Sequence, residues 1–139
     1  MLVLDTNAVT TLERATGPAD DLRRWIGAQP DADVRTTIIT YEEQMRGWLA
    51  FIASAKTVND LTAGYARLQM MQHRYCRMPI LPFDAEAATR WQALRKTYRR
   101  LGSTDLKIAA VALTRGATLV TRNVVDFRPV AGLKVATWA

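Results

Sequence analysis

The chain has 139 residues, of which 49% are hydrophobic and 23% charged, as expected for one soluble globular domain with a single core. No apolar run approaches the roughly 18 residues that a membrane-spanning helix requires, and Asp5 interrupts the amino-terminal run, which excludes a signal peptide. With one cysteine and one histidine, the chain can form neither an internal disulfide nor the usual zinc site. This composition fits a reducing cytoplasm and leaves oxygen ligands for any metal.

The formal net charge of +6 is unevenly distributed along the chain. Residues 1–60 contain six basic and nine acidic residues, whereas residues 61–139 contain thirteen basic and four acidic ones. Fifteen of the nineteen basic residues are arginines, whose planar guanidinium group suits bidentate phosphate contacts. The basic half is therefore consistent with a polyanionic partner, and equally with a solvated basic face.

Strand-like and helix-like segments alternate along the chain. Strands are predicted at Leu2–Leu4, Val34–Ile39, Ile80–Phe83, Ala117–Thr121 and Leu133–Ala136, the last a short edge strand. Helices are predicted at 6–14, 19–26, from 40 onward, 58–76, 85–101 and 106–115, with a turn at 29–31. This alternation predicts one α/β domain spanning 1–139, with a mostly parallel sheet of four to five strands between two helical layers.

Acidic residues follow several of these strands or begin the next helix. They are Asp5, Glu42, Glu43, Asp84, Asp105 and Asp126. In a parallel sheet all strands end at the same edge, so these carboxylates would converge there and repel one another unless they share a cation. Oxygen ligands without histidine or cysteine suit Mg²⁺ or Mn²⁺.

Each acid also has a purely structural explanation. Thr40 and Glu43 have capping-box spacing, Asp105 suits the positive end of a helix dipole, Asp84 is an ordinary N-cap, and Asp126 lies in a turn-like segment. Four or more acids at one edge, beside a basic half, nevertheless favour a metal-dependent phosphodiester site.

Four motifs resemble those of the PIN-domain ribonucleases, in particular the VapC toxins of type II toxin–antitoxin (VapBC) modules. They are LDTN at the amino terminus, ITYEEQMRGW in the middle, STDLKIAAVALTRGATLVTRNVVDF near the end, and the GLKVATW tail. The resemblance spans essentially the whole chain, and the combination of motifs is specific although each piece alone is not. It implies an α/β/α sandwich and an endoribonuclease that hydrolyses RNA phosphodiester bonds with Mg²⁺ or Mn²⁺.

The resemblance assigns the family's four metal-binding, catalytic acids to Asp5, Glu43, Asp105 and Asp126. The first three would hold the metal directly, and the last peripherally or through water. Glu42 is then the exposed neighbour of Glu43, and the chain departs from the commoner pattern by placing Gln44 where an apolar residue often follows.

Four polar residues match positions expected to orient the acids through hydrogen bonds: Thr6, Asn7, Thr121 and Asn123. Asp84 matches a structural cap and is left out of the site. The basic residues just before the third acid are the expected RNA-binding group, namely Arg95, Lys96, Arg99 and Arg100.

The resemblance also implies a homodimer, higher toxin–antitoxin assemblies without a membrane partner, and inhibition by a VapB-like antitoxin that inserts a basic side chain into the acidic pocket. Two alternatives remain open at this stage. A non-catalytic PIN-like module that binds nucleic acid or a partner protein would usually lack one of the four acids, whereas this chain has all of them. A housekeeping nuclease that processes RNA, or one that acts on DNA, would keep the same chemistry, but the short chain with no appended domain favours a toxin.

Overall fold

The computed structural model describes residues 1–30 and 33–138. Its strands are β1 (Leu2–Leu4), β2 (Val34–Thr37), β3 (Ile80–Leu81), β4 (Thr118–Val120) and β5 (Lys134–Ala136). Its helices are α1 (Thr6–Glu13), α2 (Gly17–Gly27), α3 (Ile38–Ala53), α4 (Val58–Tyr75), α5 (Ala85–Thr97), α6 (Ser103–Thr114) and α7 (Val124–Phe127). Within the described residues, no helix is long and apolar enough to cross a membrane.

The five strands form one sheet in the order β3-β2-β1-β4-β5, and every pairing is parallel. The central strand is β1, in which Leu2 lies opposite Val34 of β2 on one side and Thr118 of β4 on the other. Because all strands run the same way, their carboxyl ends share one edge of the sheet, and the residues that follow them can form a common site.

Alternate side chains of β1 point into two separate cores. Val3 packs with buried residues of α6, including Ile108 and Val111. Leu2 and Leu4 pack on the other face with residues of α1, α2 and α4. A sheet that is buried on both faces confirms the predicted three-layer α/β/α architecture.

The boundary between β2 and α3 differs from the sequence prediction. The β-branched run predicts a strand through Ile39, but the strand ends at Thr37 and α3 begins at Ile38. The Thr37 hydroxyl accepts a hydrogen bond from the Thr40 backbone N–H at 3.1 Å, so Thr37 is the N-cap. The predicted capping box of Thr40 and Glu43 is therefore wrong, and Glu43 is not explained as a cap.

Two shorter segments also differ from the sequence prediction. Helix α2 begins at Gly17, with Pro18 in its first turn, instead of at residue 19. The segment predicted to be a turn around Asp126 forms the one-turn helix α7. Part of the predicted turn at 29–31 lies outside the described residues. Asp84 caps α5 by accepting the Ala87 N–H at 2.9 Å, as predicted.

Candidate metal centre

Asp5 is a buried carboxylate at the carboxyl end of the central strand. It is 5% exposed, and it caps α1 by accepting the Ala8 backbone N–H on Oδ1 at 2.8 Å. Its Oδ2 accepts the hydroxyl hydrogen of Thr121, which follows β4, at 2.5 Å. The ends of β1 and β4 are thus joined through this one carboxylate.

Thr121 is fully buried and uses both hydrogen-bonding functions of its hydroxyl group. The hydroxyl donates to Asp5 and accepts the Asn123 backbone N–H at 2.9 Å. The side-chain amide of Asn123 in turn donates to Asp126 Oδ2 at 2.8 Å. Thr121 and Asn123 thus each donate a hydrogen bond to one of the predicted acids, and their orienting roles stay predictions.

Replacing Thr121 with valine should destabilise the fold by about 1–3 kcal/mol, because a buried carboxylate and a backbone N–H both lose their partner. Thr121→Ser keeps the hydroxyl and should retain most of the stability. Urea unfolding of the two variants measures the difference. A greater loss in Thr121→Ser than in Thr121→Val would show that the methyl group, and not the hydroxyl, matters.

Glu43 is half-buried on α3 and is bonded to the start of α1. The Thr6 hydroxyl donates to Glu43 Oε1 at 2.5 Å, and it lies 3.1 Å from the hydroxyl of the buried Thr40. The neighbouring Glu42 instead points to solvent, where it pairs with Arg46 at 2.7 Å. Glu43 thus lies beside Thr6 at the acidic edge, whereas Glu42 does not, and the choice of Glu43 as the site residue stays a prediction.

Asp105 lies in the first turn of α6, and Asp126 is exposed on α7. The pKa of Asp105 is raised, first by burial and then by the negative charges of Asp5, Glu43 and Asp126. Burial also raises the pKa of Asp5, against the lowering effect of its two hydrogen bonds, and Glu43 adds to the rise. The four carboxylates therefore interact electrostatically at one edge of the sheet.

The structure brings together the four predicted acids and three of the four predicted orienting residues. The exception is Asn7, which is exposed and whose side chain bonds to none of the described residues. Within residues 1–30 and 33–138, no group of three or more Asp, Glu, His or Cys side chains is arranged closely enough to hold a metal ion. The available donors are carboxylate oxygens, which are the ligands that Mg²⁺ and Mn²⁺ prefer.

The predicted RNA-binding residues line two hollows beside these acids. Arg95, Lys96 and Arg99 line a hollow of about 700 Å³ between α5 and the start of α6. Arg99 and Arg100 line a second one of about 480 Å³, which Asp126 also lines. In the second hollow two arginines and the carboxylate of Asp126 therefore line the same space.

Sequence reasoning missed two polar features near the acids. The sequence pattern predicts only a capping role for Thr40, yet its hydroxyl lies 3.1 Å from that of Thr6. Gln44 is 8% exposed, and its amide contacts Glu13 of α1 and Tyr75 of α4. A polar residue at an inward-facing helix position needs buried hydrogen-bond partners. The inward position of Gln44 could therefore have indicated these contacts from the sequence.

Comparison with known proteins places these observations in a family. A model of the PIN domain matches residues 2–133. Ribonuclease VapC1 of Rickettsia felis is 26% identical over 140 residues, which cover 98% of this chain and 95% of that protein. Plasmid stability protein StbB of Pseudomonas syringae pv. tomato is 30% identical over 141 residues, which cover 97% of this chain and 96% of that protein.

Solved structures agree on the fold. A chain in a toxin–antitoxin complex from Klebsiella pneumoniae is similar to this one with a TM-score of 0.73 and 24% identity, over 100% of this chain and 98% of that chain. The parallel five-stranded sheet, the acids at its carboxyl edge and the match over nearly the whole chain lead to one conclusion: the protein belongs to the PIN domain family.

Proposed function

We propose that this protein is a metal-dependent endoribonuclease that acts in the cytoplasm as the toxin of a toxin–antitoxin module. The observation that carries the proposal is the set of four interacting carboxylates at the carboxyl edge of the sheet, two of which have raised pKa values. Arginine-lined hollows beside them offer binding sites for RNA phosphates. A non-catalytic PIN-like module would usually lack one of the four acids.

The relatives support the same activity. One curated relative is named a ribonuclease and another a plasmid stability protein, and the solved neighbour is a toxin–antitoxin complex. We infer that this chain likewise cleaves RNA and is neutralised by a VapB-like antitoxin. Exposed apolar residues on α3, Ile38 and Leu49, provide a surface for the homodimer that the family resemblance implies.

In the proposed site Asp5, Glu43 and Asp105 hold Mg²⁺ or Mn²⁺, and Asp126 contributes from the periphery. When bound, the cation lowers the pKa of water and offsets negative charge on the phosphodiester. Thr121 fixes the orientation of the Asp5 carboxylate through its hydroxyl hydrogen bond. The resulting site would hydrolyse the bond between phosphorus and a ribose oxygen.

The residues around the acids supply binding and orientation. Thr6 holds Glu43 by donating to Oε1, and Asn123 holds Asp126 through its side-chain amide. Arg99 and Arg100 can bind phosphates of the RNA strand on the Asp126 side, because they line the same hollow as that acid.

The cellular test is to sequence RNA 5′ ends after brief induction of the wild-type protein and of Asp5→Asn. We expect new 5′ ends at a small set of RNA sites with the wild type, and none with the variant, which keeps an oxygen for the α1 cap but loses the charge. Co-expression of the cognate VapB-like antitoxin should suppress the cleavage. The same new ends in the Asp5→Asn cells would refute the site assignment.

A further inference from the structure

A cleft between α1 and α3 opens from the acidic site and is not used by the proposed chemistry. Its volume is about 410 Å³, within the usual range for small-ligand sites. Thr6 and Glu43 line one end, next to the proposed metal centre, and Trp48 and Phe51 line the other. We call this space the α1–α3 cleft. Because the two sites share Glu43, a strand bound at the acids can place its next nucleotide in the cleft.

The far end of the α1–α3 cleft is aromatic. Phe51 is 40% exposed, and its ring meets that of Trp48 edge to face, with centroids 5.9 Å apart. The guanidinium carbon of Arg67 lies 6.0 Å from the Trp48 ring centroid and helps to fix that ring. Exposed aromatic surface of this kind binds nucleobases by stacking.

Glu13 forms part of one wall of the cleft, and its carboxylate is held in place by two neighbouring side chains. Oε1 of Glu13 accepts hydrogen bonds from Gln44 Nε2 at 2.9 Å and from Arg74 Nη1 at 2.7 Å. Gln44 is itself fixed by the Tyr75 hydroxyl at 2.5 Å. Oε2 of Glu13 has no hydrogen-bond partner among the described residues, and Glu13 is one of the residues that line the cleft.

We propose that the α1–α3 cleft binds the base of a nucleotide adjacent to the cleaved phosphodiester, and that Glu13 selects bases carrying an exocyclic amino group. This inference rests on the proposed ribonuclease function. Adenine, cytosine and guanine each offer an amino hydrogen to Oε2. Uracil has no amino group, and its N–H lies between two carbonyl oxygens that a carboxylate repels. The site therefore discriminates against uracil at one position of the RNA.

Gly47 offers a way to block the cleft without disturbing the fold. It lines the cleft on α3, and a Cβ atom added there meets nothing within 4 Å. Because glycine is a poor helix former, a side chain at this interior helix position should not destabilise α3. Gly47→Met would therefore occupy the space that the base needs.

The matched control is Gly27→Met at the end of α2. A Cβ atom there also meets nothing within 4 Å. Gly27 precedes the connection to the start of β2, so it lies near the sheet edge opposite the acids.

The experiment uses a pool of short RNAs with a randomised stretch, cleaved in Mg²⁺ by the purified protein, with both product ends sequenced. For the wild type we expect uracil to be depleted roughly tenfold at one position next to the cut. Glu13→Gln can present its amide N–H groups to the cleft, and uracil carbonyls accept them, so that position should shift toward uracil while other positions stay unchanged. Gly47→Met should lose the preference and cleave more slowly, whereas Gly27→Met should match the wild type.

The possible outcomes distinguish failure of the cleft proposal from failure of the proposed ribonuclease function. RNA cleavage with the same base frequencies in wild type, Glu13→Gln and Gly47→Met overturns the cleft proposal and leaves the nuclease assignment intact. If Gly47→Met instead weakens only inhibition by the co-expressed antitoxin, the cleft belongs to a protein partner and the proposal is wrong. No cleavage of any RNA by the wild type overturns both.

Discussion

Glu43→Gln is expected to reduce RNA cleavage by at least about 100-fold, whereas Glu42→Gln should leave it nearly unchanged. The two residues are adjacent on α3 but face different surroundings. Glu43 is half-buried and bonded to Thr6 at the acidic edge, so loss of its charge removes a proposed metal ligand. Glu42 is exposed and, among the residues that the structure describes, is bonded to Arg46 alone, and surface pairs of this kind contribute little.

This pair of variants is a matched test, because both changes replace one carboxylate by an amide in the same helix turn. Initial cleavage rates of a labelled RNA in Mg²⁺ measure the effect, and thermal melting confirms that both variants are folded. Equal loss of activity in both would contradict the assignment of Glu43, and greater loss in Glu42→Gln would reverse it.

Asp105→Asn should make the metal-free protein more stable and, at the same time, nearly abolish stabilisation by Mg²⁺. Burial and the surrounding acids raise the pKa of Asp105 above its ordinary value of 3.8. The folded state therefore binds a proton more tightly than the unfolded state does. The stability contributed by this group is present below pH 3.8 and is lost as pH rises through the folded-state pKa. Asparagine has no charge to bury, so it avoids this loss.

The measurement is urea unfolding of wild type and Asp105→Asn in a chelator from about pH 4 to about pH 7, then again at neutral pH with Mg²⁺. The stability advantage of the variant should grow with pH in the chelator, and Mg²⁺ should reverse it by stabilising only the wild type. The matched control is Asp60→Asn, an exposed acid in the first turn of α4. If Asp105→Asn is less stable than wild type in the chelator at neutral pH, the repulsion argument is wrong.

Local sequence patterns predict much of the fold. The apolar run before Asp5 predicts β1, and the small residues of α6 predict its close packing, which the buried Ala109, Ala110 and Ala112 confirm. The end of β2 could not be predicted from propensity, because β-branched residues continue through Ile39. Helix α3 begins at Ile38 nevertheless, since the Thr37 hydroxyl caps it.

The acids of the site are also predictable, because each follows a strand or begins a helix. Their partners are harder to predict, since a contact such as Thr121 to Asp5 joins residues 116 positions apart. No sequence pattern around Glu13 predicts that it lines a cleft beside the site. Its place in the cleft depends on contacts with Gln44 and Arg74, which come from two other helices.

The most direct test of the metal-centre account is RNA cleavage by purified protein in Mg²⁺, in Mn²⁺ and in chelator, with Asp5→Asn in parallel. The account predicts internal cleavage by the wild type only when a divalent ion is present, and no cleavage above background by the folded variant. Cleavage that persists in the chelator, or that Asp5→Asn retains in full, would contradict it.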